Sequence, residues 1–175
     1  MKKDWSINEI ILKLPMIDIK LKASTSESGK SPTRTENLET QLHTQGVKVA
    51  LKAFNGSFVT AELNLGGELI ANRNKLDAWE TFEMFRLPDG KVALKACNGK
   101  FVGAKLHQHC QLIADLPHVR DWETFTLQQL ADGKFAFRAF NGKYVSAYIS
   151  RNGELIADRP EPSGWEAFTL MLVET

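Results

Sequence analysis

In "VALKA" (residues 49–53) Val49 and Leu51 point one way and Ala50 and Lys52 the other. This two-residue alternation predicts a strand with one buried face. Asn55-Gly56 follows, a pair that accepts positive φ and therefore predicts a tight hairpin turn. The return strand is "SFVTAEL" (57–63). Gly66-Gly67 turns the chain into "ELIA" (68–71), and after a longer connection "ETFEMFRL" (80–87) supplies a fourth strand. Asp89-Gly90 and Asp132-Gly133 add turn chemistry at later junctions.

The same pattern then recurs. "AFNGSFV" (53–59) returns as "ACNGKFV" (96–102) and "AFNGKYV" (139–145), and "ELIA" returns as "QLIA" (111–114) and "ELIA" (154–157). "WETF" (79–82) returns at 122–125 and as "WEAF" at 165–168. The period is 43 residues at every motif, from Asn55 to Asn98 to Asn141 and from Trp79 to Trp122 to Trp165. Three repeats at 47–89, 90–132 and 133–175, of four strands each, imply an all-β domain of about twelve strands. A propeller needs roughly 4–8 blades to close, so three units exclude it. A barrel capped by hairpins, with pseudo-threefold symmetry, accommodates them.

The motifs carry a resemblance. "VALKA", the Asn-Gly turn, "LIA" and "WE-x-F", in that order, resemble the repeat of the fascin-like β-trefoils, and "GKVALKACNGKFV" (90–102) is similar to repeats of hisactophilin in the same superfamily. The resemblance covers all three repeats and none of the first 45 residues. It implies a β-trefoil, and it implies either of two activities. Related domains bearing "WETF" accompany carbohydrate-active enzymes, whereas fascin and hisactophilin bind actin filaments. The Gln-x-Trp triplet of ricin-type lectin trefoils is absent, because Trp79, Trp122 and Trp165 follow "LDA", "VRD" and "PSG".

Threefold symmetry brings equivalent positions together near one axis, so the core needs the same residue types three times. Phe82, Phe125 and Phe168 are assigned to it, with Leu51, Leu94 and Phe137 and with Leu69, Leu112 and Leu155. The tryptophans of "WE-x-F" are expected to close one end as buried keystones, with Trp122→Ala costing roughly 3–5 kcal/mol. Glu80, Glu123 and Glu166 beside them are expected to accept backbone N–H bonds at a strand entrance.

Residues 1–46 differ in character. Ser6-Ile7-Asn8-Glu9 has the form of a capping box, and Ile7, Ile10, Ile11 and Leu14 follow helical spacing up to Pro15. "MIDIKLK" (16–22) alternates like a strand, and 23–46 is polar and reads as a linker. Such a short helix is not stable alone. It docks on the trefoil, frays, or serves as a handle for a partner or for self-association.

Composition narrows the chemistry. A net charge of +1 argues against a nucleic-acid binder, which relies on phosphate neutralisation. No apolar run reaches the ~18 residues of a membrane span, and no continuous apolar stretch follows the first lysines, so the expected compartment is the cytoplasm. Two cysteines fit free thiols in that compartment. No nucleophile elbow, catalytic triad or phosphate-cradling loop stands out, and the chain reads as a non-enzyme without a cofactor. His107-x-His109 beside Cys110 would suit a metal only if it lay at strand spacing. Its equivalents "LNLGG" and "ISRNG" mark instead a variable surface loop, and no metal is assigned.

Two sets of polar residues remain as candidate sites. After each "LIA" stand Asn72-Arg73, Asp115-Leu116 and Asp158-Arg159. A carboxylate or amide beside an arginine grips hydroxyl pairs or an acidic partner. The alternative is an ion pair that braces the loop before the tryptophan. The second set is a basic rim, Lys52, Lys95 and Arg138 on the first strands with Lys100 and Lys143 beside two Asn-Gly turns, facing an acidic surface such as actin or a phosphoinositide headgroup. Residues 47–175 hold 15 basic and 15 acidic side chains, so any such patch is local. Glycan binding is ranked narrowly first, actin-filament binding second, and an interaction scaffold third.

Overall fold

The computed structural model describes Glu9 and residues 46–174. The helix expected at 6–14 (Glu9 apart), the strand at 16–22 and the linker up to 45 lie outside the described residues, and so does any self-association through them. Twelve strands form as the alternation predicts. They are β1 (Val47–Lys52), β2 (Phe58–Glu62), β3 (Glu68–Arg73), β4 (Phe82–Arg86), β5 (Val92–Lys95) and β6 (Phe101–Lys105), followed by β7 (Gln111–Leu116), β8 (Phe125–Gln129), β9 (Phe135–Ala139), β10 (Tyr144–Tyr148), β11 (Glu154–Arg159) and β12 (Thr169–Leu172).

Strands β1, β4, β5, β8, β9 and β12 pair around a ring. Reciprocal backbone bonds of 2.8 Å between Phe135 and Phe168 close it. The hairpins β2–β3, β6–β7 and β10–β11 cap one end, and β3, β7 and β11 pair with one another there. This is a β-trefoil.

The Asn-Gly turns form for a physical reason beyond φ. Oδ1 of Asn55, Asn98 and Asn141 accepts the amide of Ser57, Lys100 and Lys143. Nδ2 of Asn98 and Asn141 donates to the carbonyls of Ala114 and Ala157, tying each turn to the "LIA" strand of its own repeat.

At the cap, three close backbone contacts relate the repeats. Ala71, Ala114 and Ala157 donate to the carbonyls of Gly153, Gly67 and Cys110 at 2.7, 2.8 and 2.9 Å. Gly67 has φ +95°, and a Cβ there would stand 2.5 Å from the Ala114 oxygen. Cys110 occupies the equivalent position with φ 61°, so this turn keeps the left-handed backbone without a glycine.

The core assignments hold. Phe82, Phe125 and Phe168, with Leu51, Leu94, Phe137, Leu69, Leu112 and Leu155, all belong to one buried cluster. Phe137 stands edge-on to Phe125 and Phe168 with ring centroids 6.4 and 5.9 Å apart. The keystone reading of the tryptophans is corrected. Trp79 and Trp122 are half-buried and Trp165 is 41% exposed. In "WE-x-F" the glutamates are buried together with the phenylalanines. Oε2 of Glu80, Glu123 and Glu166 accepts the amide of Asp77, Arg120 and Ser163 at 3.0, 3.1 and 2.9 Å. Each glutamate thus folds back to satisfy the entrance of its own short 3₁₀ turn, and the turn carries the neighbouring indole to the surface.

Candidate functional site

The residues after "LIA" end strands β3, β7 and β11, opposite the first residues of β2, β6 and β10, and in each repeat one of them reaches the side chain of the last residue of that strand. Glu62, Lys105 and Tyr148 are equivalent in the repeat, yet they differ in charge, and each copy has built a different network around them. In the first repeat Arg73 Nη2 binds Glu62 Oε2 at 2.5 Å, and Arg73 Nε stands 4.0 Å from the buried Glu80. Asn72 Nδ2 reaches Asn152 Oδ1 in the third repeat at 3.4 Å. A cleft of about 510 Å³ lies beside this network, walled by Arg73, Lys75, Asp77 and Trp79.

The second repeat reverses the polarity. Lys105, itself buried, sits 2.6 Å from Asp115 and 3.3 Å from Glu123, which is fully buried. Asp115 is thereby spent on a cation of its own fold, and Leu116 supplies no arginine. Gly103 makes room for this pair, since a Cβ there would meet Glu123 Oε1 at 2.4 Å.

The third repeat is aromatic. Tyr148 donates its hydroxyl to Asp158 Oδ2 at 2.6 Å. Burial, then the hydrogen bond and charge of Asp158, push the Tyr148 phenol above its ordinary value, so it stays a donor at neutral pH. Arg159 and Arg151 lie over its ring, 5.2 and 5.5 Å from the centroid. Trp165 meets Tyr148 edge-on at 6.2 Å and stacks on Phe54 of the first repeat at 5.8 Å, with 11° between the planes. Asp158, Arg159 and three aromatic rings thus share one surface, where Phe54 and Trp165 are 39% and 41% exposed.

The basic rim is uneven. Lys52 lies over Phe58, 4.5 Å from the ring centroid, and Arg138 lies over Tyr144 at 5.9 Å. Lys95 is neutralised by Glu83 at 2.9 Å. Lys100 is half-buried and Lys143 exposed, and their amides are held by the turn asparagines. His107 stands in the 3₁₀ turn after β6, not in a strand, and His109 has φ 55°. Among the described residues no three histidine, cysteine or acidic side chains come together as a metal site would need. No helix among them is long and apolar enough to cross a membrane.

A model of the fascin domain matches residues 17–127 and again residues 64–170. The chain belongs to the fascin-domain family. No curated protein matches it. Among solved structures, this fascin domain is similar to the designed threefold-symmetric protein ThreeFoil (TM-score 0.65, 19% identity), with 72% of this chain and 99% of that one covered. It is similar to SeviL, solved bound to the asialo-GM1 saccharide (TM-score 0.61, 17% identity), with 75% and 100% covered. It also resembles part of an endo-β-galactosidase from Clostridium perfringens (TM-score 0.63, 16% identity), covering 73% of this chain and 33% of the enzyme. Identities this low establish the trefoil fold that these proteins share.

Sequence reasoning on the fascin domain missed Phe54, Phe140 and Tyr148. The signal was present in the first two: the residue before each Asn-Gly is Phe54, Cys97 or Phe140, large and apolar at a turn where polar residues are usual. Their partners come from the preceding repeat in the ring, which no local pattern reveals. Trp122 meets Phe140 edge-on at 5.0 Å, across the boundary equivalent to the one where Trp165 stacks on Phe54.

Proposed function

We propose that this protein is a non-catalytic glycan-binding module whose principal site is the surface of Phe54, Tyr148, Asp158, Arg159 and Trp165. The observation that carries the reading is the meeting of exposed aromatic rings with a carboxylate–guanidinium pair. Sugar rings have apolar C–H faces that rest on aromatic surface and hydroxyl edges that need directional donors and acceptors. Asp158 and Arg159 are 3.7 Å apart and both are well exposed, so they offer both kinds of group beside the rings. The saccharide complex of SeviL supports the reading. The first repeat, with Trp79 and Arg73 beside its cleft, is a secondary site of the same kind. The second repeat, whose Asp115 is locked to Lys105, is not.

Actin-filament binding is the competing reading, and membership of the fascin-domain family favours it. Its basic rim is interrupted where Glu83 neutralises Lys95.

The test is a glycan array with wild type and Trp165→Ala, run beside co-sedimentation with filamentous actin. Specific binding to a neutral glycan that Trp165→Ala abolishes in a folded protein establishes the proposal. Binding to neutral chains through aromatic contact is insensitive to salt, whereas a charge-steered filament contact weakens as salt rises. A blank array with salt-sensitive co-sedimentation overturns the proposal in favour of actin.

A further inference from the structure

Two surface clefts are copies of each other. One, of about 560 Å³, is lined by Lys48, Thr81, Glu83, Lys95, Cys97 and Gly99. The other, of about 220 Å³, is lined by Lys91, Thr124, Thr126, Arg138, Phe140 and Gly142. Each of these six residues stands 43 positions after its counterpart. The strands are in the same register: Glu83 is the cross-strand partner of Lys95, and Thr126 that of Arg138. Carboxylates separate them electrostatically: Glu83 and Glu174 line the first cleft and none lines the second. In the first cleft Glu83 holds Lys95 in an ion pair at 2.9 Å. In the second, Thr126 stands where that carboxylate would be, and no carboxylate among the described residues comes within ion-pair distance of Arg138.

Arg138 is nevertheless held in place. Its Nε donates to the carbonyl of Gly142 at 2.9 Å, and its guanidinium lies over the Tyr144 ring. Both Nη groups are left for a ligand, in a planar fork suited to a carboxylate or sulfate. Lys91 adds a second cation, shared with Asp89 at 3.3 Å in a solvent-exposed pair that contributes little. Thr126 adds an exposed hydroxyl. Phe140, 47% exposed and braced edge-on by Trp122, forms an apolar wall. The volume is below the ~300 Å³ at which pockets enclose drug-sized ligands, which suits a single ring.

Resting on the glycan reading above, we infer that the Lys91–Thr126–Arg138–Phe140 cleft is a separate subsite for an acidic sugar, one ring bearing a carboxylate or sulfate. Phe140 takes the ring's C–H face and Arg138 the anionic substituent. The sister cleft rejects the same ligand because Glu83 already occupies its cation.

The experiment is a glycan array carrying neutral chains beside their sialylated and sulfated forms, followed by titration calorimetry on the best matched set. Wild type, Thr126→Glu, Arg138→Ala and Glu83→Thr are compared. Thr126→Glu copies a residue that the fold already carries at the sister position, so it preserves folding, and an unchanged Tm checks that. The expected result is that wild type prefers an acidic form by about tenfold, the worth of one charge-assisted bond. Thr126→Glu and Arg138→Ala lose that preference while neutral binding stays, and Glu83→Thr gains only a weaker second acidic site, because Cys97 stands where Phe140 forms the wall and Glu174 remains. Neutral binding with no acidic preference, or a preference that survives Thr126→Glu, overturns the subsite and leaves the glycan reading standing. A blank array overturns both. Loss of actin co-sedimentation in Thr126→Glu, with no sugar bound, assigns the cleft to an acidic protein and overturns the sugar.

Discussion

Trp165 stacks on Phe54, the two rings 5.8 Å apart and nearly parallel, although 111 residues separate them in the chain. The contact joins the last repeat to the first and so completes the ring of repeats. Trp122 and Phe140 also meet across a repeat boundary, but edge-on, with centroids 5.0 Å apart and 71° between the planes. Trp122 and Trp165 therefore belong to the boundaries between repeats rather than to the core. Partial burial limits what it contributes. Trp122→Ala is expected to cost about 2 kcal/mol, below the range for a fully buried indole. A denaturant midpoint shift corresponding to more than twice that would restore the keystone reading. Trp165→Ala is expected to cost no more, and its larger effect is on ligand binding.

Lys105 holds a buried charge. Removing it leaves Glu123, which is fully buried, with only the Arg120 amide as a partner. Lys105→Met is expected to destabilise the fold by about 3 kcal/mol, because an uncompensated carboxylate is worse than no ion pair. The double variant Lys105→Met/Glu123→Gln recovers part of the loss. Equilibrium urea unfolding of both proteins checks the pair, and equal stabilities of single and double variants would contradict it.

The three cap turns make opposite predictions for opposite changes. Gly67→Ala places a Cβ 2.5 Å from the Ala114 oxygen at a left-handed residue, and is expected to cost about 2–4 kcal/mol. Cys110→Gly relieves a left-handed non-glycine residue at the equivalent site, and is expected to stabilise by about 1 kcal/mol. Thermal melts of both variants decide this. A Tm for Cys110→Gly below that of wild type would mean that the Sγ contact with Asn141 at 3.4 Å outweighs the backbone strain.

Cys97 replaces the turn phenylalanine in the second repeat. Burial, with a smaller push from the Glu80 carboxylate, raises its thiol above the ordinary value, although a backbone hydrogen bond works the other way. The thiolate is the nucleophile, so alkylation at neutral pH is expected to be slow and to accelerate only above the pH at which a free thiol ionises. Iodoacetamide labelling followed residue by residue across pH tests this. A midpoint at or below that of a free cysteine would contradict it.

Much of this protein was legible without coordinates. The 43-residue period, the two-residue alternation and the Asn-Gly turns specify twelve strands in three equivalent units, and three units of this kind close as a trefoil. The core phenylalanines and leucines followed, because symmetry demands the same residue types around one axis. Glu80, Glu123 and Glu166 were also legible as acceptors for their own turns, since that bond spans only three residues. All of these are local or periodic relationships, which a linear sequence records directly. What the tertiary structure decided is how the copies differ. The 43-residue period places Glu62, Lys105 and Tyr148 at one position, and only folding shows that they turn Arg73, Asp115 and Asp158 to different uses. The pairing of Trp165 with Phe54, and the contrast of Glu83 with Thr126, depend on strands from different repeats meeting in register. The period specifies the scaffold because burial is symmetric. The site departs from symmetry, and the charges and rings that form it become neighbours only when the ring closes.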